Sequence, residues 1–154
     1  MFAIEQLEPR QLLNAVYSIR DLGTLGGGDV HVTDINIKGQ IVGYAKVANG
    51  DDHAFVWSKK RGMRDLHVPS WNGDLMNPTT DGPSFAKAIN DHGVIAIKSA
   101  AQYSAFGVAQ TFVYSHGVLS KITSPSHSNS PVDINNRGDI LMQGSDDEEP
   151  LRRC

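Results

Sequence analysis

The sequence predicts an all-β fold, a β-propeller-like series of tandem four-stranded blades that holds about two and a half blades and so forms an incomplete ring. Three observations support this prediction: a hairpin motif that occurs three times, strands with aromatic residues at alternate positions, and abundant turn residues. The 154 residues include 15 Gly and 7 Pro, which mark turns between short strands. Hydrophobic residues make up 40% of the chain and charged residues 20%, a balance that permits a packed core and argues against wholesale disorder.

The hairpin motif reads Ile, Asn, two residues, Gly, one residue and Ile, and its copies lie at 34–43, 88–97 and 133–142. Asn three residues before Gly is typical of a tight turn, because the Asn side chain bonds the backbone two residues on and Gly adopts a positive φ at little cost. We therefore expect equivalent hairpin turns at all three copies. The paired positions are Asn36 and Gly39, Asn90 and Gly93, and Asn135 and Gly138.

Aromatic residues mark a second repeated strand in the first two units. Phe55 and Trp57 fall on one face of a strand, and Phe112 and Tyr114 repeat the pattern, since alternate residues of a strand share a face. These four side chains are predicted to pack between blades. His53, just before the first pair, is predicted to be a hydrogen-bonded structural imidazole.

Spacing between the copies gives the size of the unit. The three Asn residues are 54 and 45 residues apart, and the longer interval contains about 10 additional residues between 67 and 84. Four strands in about 45 residues is typical of a propeller blade, and residues 17–22 are predicted to be a lone outer strand of a preceding blade. The predicted divisions are an N-terminal segment (1–16), a repeat region (17–145) with blades at about 30–66, 85–122 and 131–145, and an acidic tail (146–154).

The first repeat resembles a known family. Its blocks at 22–27 (LGTLGG), 34–43 (DINIKGQIVG), 53–57 (HAFVW) and 62–66 (GMRDL) are similar to those of the HAF repeat family, which is named after its His-Ala-Phe tripeptide. The resemblance implies tandem repeats in a bacterial, extracellular protein, and it supplies no activity. The second repeat departs from the pattern, with Gln-Thr-Phe at 110–112 in place of His-Ala-Phe.

A second resemblance concerns the N-terminus. Residues 7–13 (LEPRQLL) are similar to the LEPR-XLL segment of exported or cell-surface proteins in certain bacteria. The resemblance implies an extracellular or cell-surface location. On physical grounds no ordinary signal peptide is visible, because the segment lacks a charged start and a continuous apolar stretch and contains Pro9.

The residue patterns disfavour metal-binding and catalytic sites. Asp34 and Asn36 imitate the start of a calcium loop, but Lys38 stands where the third oxygen donor should be. Neither the six histidines nor the one cysteine, Cys154, has a metal-ligand spacing. No nucleophile motif or acid–base pair stands out. We therefore predict no catalytic residues, no metal and no cofactor.

Composition also limits the partners. The formal net charge is −3 and the basic residues are scattered, which disfavours a nucleic-acid partner. No apolar run reaches the length of a membrane-spanning helix. A second copy that completes the ring is one predicted partner, and a carbohydrate or a surface protein is another.

The candidate ligand-binding residues are Trp71, Asn72 and Asp74, within the additional residues that separate the first two repeats. Loops on rigid β scaffolds commonly carry function, and Trp beside Asn and Asp suits stacking on a sugar or contact with a protein. The alternative for Trp71 is that it covers a blade edge. The predicted function is recognition, adhesion or scaffolding without catalysis. The alternatives are a fragment of a polysaccharide-active propeller enzyme, or a truncated gene product with no independent function.

Overall fold

The computed structural model describes residues 17–69, 81–99, 110–122 and 129–144. All regular structure in these ranges is β, arranged in antiparallel sheets, so the all-β prediction is confirmed for this part of the chain. No helix here is long and apolar enough to cross a membrane. The predicted N-terminal segment and acidic tail lie outside the described residues.

The first unit is a four-stranded meander in which each strand pairs with the next along the chain. Sequential pairing of this kind is expected where short loops join the strands. Its order is β1-β2-β3-β4. The strands are β1 (Gly26–Ile35), β2 (Ile41–Val47), β3 (Asp52–Ser58) and β4 (Gly62–Asp65).

The second unit repeats this meander, and the third comprises a two-stranded hairpin. The second unit consists of β5 (Ser84–Ile89), β6 (Ile95–Ser99), β7 (Gln110–Ser115) and β8 (Val118–Ile122). The third consists of β9 (Asn129–Ile134) and β10 (Ile140–Gly144). β1, β5 and β9 are thus the first strands of the three units.

The three motif copies form equivalent hairpin turns, as the sequence predicts. Gly39, Gly93 and Gly138 have φ values of 68°, 85° and 90°, in the left-handed region that glycine adopts without a Cβ penalty. In each turn the Gly N–H donates to the carbonyl of the Asn three residues earlier. The Asn side chain accepts the N–H two residues on, at 3.1 Å in the first copy, 3.0 Å in the second and 2.9 Å in the third.

A β-bulge recurs at one repeat position, and sequence reasoning missed it. The ladder between the first two strands of each unit skips one residue, three residues before the Asn. The skipped residues are Thr33, Lys87 and Val132. A bulge bends a strand and increases its local twist, so all three units bend at the same place. The three residue types share no property that would reveal a bulge.

The first two units pack face to face across the main hydrophobic core. The first unit contributes Val42, Ala54 and Val56, and the second contributes Ile97 and Phe112 among others. Tyr114 packs against the same cluster. Phe112 and Tyr114 therefore lie between two sheets, which agrees with the prediction of packing between units.

The opposite face of the first unit packs against the chain segment that precedes β1. Phe55 and Trp57 are buried there with Ala45, and Leu22 and Leu25 pack against them. Successive side chains of β3 thus alternate between the two faces of the sheet as predicted, since Ala54 and Val56 lie on the other face. The expected packing of Phe55 and Trp57 between blades is not what the described residues show, because the chain ahead of β1 covers this pair instead of a preceding sheet.

The predicted lone strand at 17–22 is wrong. This segment has no strand conformation, and only an isolated bridge joins Leu25 to Val47. A strand needs a hydrogen-bonded neighbour, and here Asp21 instead accepts the N–H of Gly23, whose φ is 77°. β1 begins only at Gly26.

Candidate functional site

Two sets of contacts stand out among the described residues. The first is a ladder of asparagines that joins the units. The second is a cluster of His and Asp side chains where the two ends of the connection between β4 and β5 meet, at residues 67–69 and 81–82; we call these two ends the neck. The asparagine ladder comprises Asn36, Asn90 and Asn135. Asn36 Nδ2 donates to the carbonyl of Asn90 at 3.0 Å, and Asn90 Nδ2 donates to the carbonyl of Asn135 at 3.0 Å. Each residue therefore stabilises its own turn through Oδ1, and the first two also bind the next unit through Nδ2.

A second line of hydrogen bonds runs beside the ladder. The N–H of Ile37 donates to Asp91 Oδ1 at 3.1 Å, and the N–H of Asp91 donates to Asn136 Oδ1 at 2.9 Å. Asn136 Nδ2 donates back to Asp91 Oδ2 at 2.7 Å. The Asn136 amide, followed by the Ile37 N–H, holds the pKa of Asp91 below its usual value, because both groups bond the ionised carboxylate.

The ladder was visible in the sequence only in part. The three Asn residues were singled out as turn formers, and their Oδ1 atoms have that role. The Nδ2 atoms of Asn36 and Asn90 also bond the next unit, which spacing alone does not reveal. The signal was that Asn recurs unchanged, although Asp or Ser would also suit the first position of the turn.

The neck of the loop that leaves β4 is closed by contacts across its two ends. Pro69 and Asp81 form an antiparallel bridge, and the N–H of Gly82 donates to the carbonyl of Val68 at 3.4 Å. His67 Nδ1 lies 2.7 Å from Asp81 Oδ2. Val68 is buried in the main core, so the neck is anchored to the interface between the first and second units.

Asp65 connects this neck to the buried His53. His53 Nδ1 lies 2.7 Å from Asp65 Oδ2, and Asp65 Oδ1 accepts the N–H of His67 at 2.8 Å. His53 is buried, and its Nε2 has no hydrogen-bond partner among the residues that the structure describes. This imidazole therefore joins β3 to the end of β4 as a structural group, in the role that the sequence predicted.

His67 has an uncommon backbone conformation. Its φ is 45°, a region that non-glycine residues seldom occupy and that recurs at functional loops. The hydrogen bond to Asp81 is the largest influence and raises the pKa of His67 above its usual value; burial lowers this pKa, and the charges of Asp65 and Asp81 raise it further. The protonated ring is thus favoured at the neck.

We expect the pair of His67 and Asp81 to weaken as the pH rises. A raised folded-state pKa means that the stabilisation is complete below about pH 6.5 and is lost as the pH rises through the folded pKa. The effect on global stability should be small, because 70% of the His67 side chain is exposed. NMR titration of the His67 ring should give a midpoint above about 6.5 in the wild type.

The matched variants are Asp81→Asn and Asp29→Asn, which make the same change of charge at the neck and at an exposed site on β1. Only Asp81→Asn should return the His67 midpoint towards its ordinary value. An unchanged midpoint in Asp81→Asn would show that the contact does not control the protonation of His67.

The predicted ligand-binding residues Trp71, Asn72 and Asp74 lie outside the described residues. The neck that the structure describes flanks them on both sides in sequence. In the described ranges, no group of three or more His, Cys, Asp or Glu side chains is arranged to hold a metal ion.

Comparison with known proteins gives no relative: no family model, no curated protein and no solved structure matches this chain.

Proposed function

We propose that the chain is a non-catalytic, exported or cell-surface repeat protein with propeller-like blades, and that the loop after β4 recognises a carbohydrate or a surface protein. The observation that carries this proposal is that the two ends of the loop are held together at the neck. His67 Nδ1 lies 2.7 Å from Asp81 Oδ2, and the adjoining Val68 anchors this segment in the main core. A loop with fixed ends on a rigid sheet loses less conformational entropy on binding than a free one.

The propeller-like arrangement is supported by three features of the units. Two consecutive units are four-stranded meanders, and successive units pack face to face. The hydrogen bonds of the asparagine ladder keep equivalent turns side by side. Propeller blades are four-stranded and repeat in this manner, and such scaffolds present loops at their rims.

The recognition role is supported by the residues that the neck flanks. Trp71 offers an aromatic surface for a sugar ring, and Asn72 and Asp74 offer hydrogen-bonding groups for hydroxyls. The resemblance of 22–66 to HAF repeats and of 7–13 to the LEPR-XLL segment supports an extracellular setting. We choose carbohydrate as the first ligand class to test, because aromatic and amide side chains together suit it.

A fluorescence experiment tests this function. The chain has two Trp residues. Trp57 is only 8% exposed, so iodide should quench it weakly, and comparison with Trp71→Ala identifies the quenching that comes from Trp71. Oligosaccharides from bacterial surfaces should protect Trp71 from quenching in a saturable manner. Trp71→Ala should weaken binding, measured by calorimetry, by about tenfold or more.

Tyr17→Ala provides the control, because Tyr17 is an exposed aromatic residue in the described part of the chain. This variant should bind like the wild type. Equal loss of binding in both variants, or folded protein that binds neither oligosaccharides nor surface proteins, would contradict the recognition role.

A further inference from the structure

The first unit exposes apolar residues that the other units bury. Ile35 is 60% exposed, whereas the matching Ile89 and Ile134 are 5% and 6% exposed. Val32 is 55% exposed, whereas Ala86 at the same repeat position is fully buried. In the second and third units these positions face the preceding unit. We call Val32 and Ile35 the leading face.

The third unit shows the complementary difference on its opposite side. Leu141 is 62% exposed, whereas the matching Val42 and Ala96 are fully buried. Val42 and Ala96 face the following unit in the first and second repeats. Leu141 therefore occupies the position that a following unit would cover. We call Asp133, Asn135 and Leu141 the trailing face.

The trailing face contains a groove of about 350 Å³, lined by Asp133, Asn135, Ile140 and Leu141 among others. Within the chain, Ile134 packs against Ala88 and Ala96 of the preceding unit. Asp133 and Leu141 are the repeat equivalents of Ala88 and Ala96. By the same geometry, Ile35 of a second copy would occupy this groove.

The polar groups of the two faces also match. Asn135 Nδ2 bonds Asp139 Oδ2 within its own turn at 2.8 Å. Asn36 Nδ2 makes the equivalent bond to Gln40 Oε1 at 2.9 Å and also donates to the next unit, because an amide group has two N–H donors. The bond to Asp139 uses one of the two donors of Asn135. A second copy presents the carbonyl of its own Asn36 at the equivalent place. Asp34 Oδ2 accepts the N–H of Ile89 across the first joint at 2.8 Å, and Asp133 occupies the same repeat position on the trailing face.

The chain itself limits how much of the first unit is free. Leu22 and Leu25 already cover Phe55 and Trp57, on the outer part of that sheet. The free part is the end that carries the asparagine turn, where the leading face lies. Contact between copies is thus confined to the ladder and its adjoining apolar residues, which suits a modest affinity.

We propose that the trailing face of one copy binds the leading face of a second copy, as a further step of the asparagine ladder. The evidence is continuity with the joints inside the chain, where the same positions are buried twice. The proposal depends on this stacking and not on the recognition function, so either can fail alone. Joining unlike faces gives a ring if the rotation closes and an open polymer if it does not.

The test measures the mass of the full chain by light scattering and analytical ultracentrifugation over a range of concentrations. Wild-type protein should associate as concentration rises. Ile35→Glu on the leading face and Leu141→Glu on the trailing face should each weaken self-association by about tenfold or more, since either places a charge in an apolar contact. Val118→Glu is the control, because Val118 is also 62% exposed but lies on β8, outside both faces.

Mixing the two variants distinguishes the proposed geometry from other modes of association. Ile35→Glu keeps its trailing face and Leu141→Glu keeps its leading face, so the mixture should form a 1:1 complex that grows no further. Circular dichroism confirms that each variant remains folded. A folded wild type that stays monomeric at all concentrations, or a mixture that forms no complex, would overturn the proposal.

Discussion

Replacement of Asn90 with Ala is expected to lower the free energy of unfolding by about 3 kcal/mol, since it removes three side-chain hydrogen bonds of this buried residue at about 1 kcal/mol each. Asn90 Oδ1 accepts the N–H groups of His92 and Val94 at 3.0 and 2.9 Å. Asn90 Nδ2 donates to the carbonyl of Asn135 at 3.0 Å. The substitution therefore loosens the second turn and its joint to the third unit together.

Urea unfolding of the full chain measures this loss as a lower midpoint at an unchanged slope. Asn49→Ala is the matched control, because Asn49 also stabilises a turn through Oδ1, with the N–H of Asp51 at 2.9 Å, but is exposed. Its cost should stay below about 1 kcal/mol. Similar losses in the two variants would mean that the ladder adds nothing to the turn itself.

The substitution Gly43→Ala is expected to cost a similar amount, about 3 kcal/mol, through overpacking. Gly43 lies in β2, paired with Val32 of β1 and Phe55 of β3. A Cβ at this position would collide with the backbone carbonyl of His31 and reach Phe55 Cε1 at 3.0 Å. A backbone carbonyl held in a sheet cannot move aside without breaking the ladder between β1 and β2.

Thermal unfolding followed by circular dichroism should show the effect of Gly43→Ala as a lower Tm. Gly28→Ala is the control: it makes the same substitution in the neighbouring β1, where a Cβ would meet no atom within 4 Å. That variant should stay within about 0.5 kcal/mol of the wild type. A wild-type Tm in Gly43→Ala would show that the strands separate more easily than their close approach indicates.

The sequence was a good guide to local structure because the local chemistry is strong. An Asn with Gly three residues later restricts the backbone to very few conformations. The positions of the three turns could therefore be predicted from the sequence. Alternation at Phe55 and Trp57 likewise placed two faces of β3. These features depend on residues close together in the chain.

Features that depend on distant residues were not accessible in the same way. The contact of Asn36 Nδ2 with Asn90 spans 54 residues, and the pair of His67 and Asp81 forms only once the neck closes. The lone strand predicted at 17–22 failed for a related reason. Its composition suits a strand, but strand formation is decided by the presence of a partner sheet, which sequence pattern does not supply.

The asparagine ladder has a consequence for how such chains can lengthen. Each Asn carries both halves of its joint, a donor on its side chain and an acceptor on its backbone. A duplicated unit would therefore bring a matching joint with it, and no compensating substitution in the neighbour would be needed. The unequal intervals of 54 and 45 residues show that connecting segments can change in length while the joint is kept. Gene duplication and loop insertion can thus proceed independently in a protein built in this way.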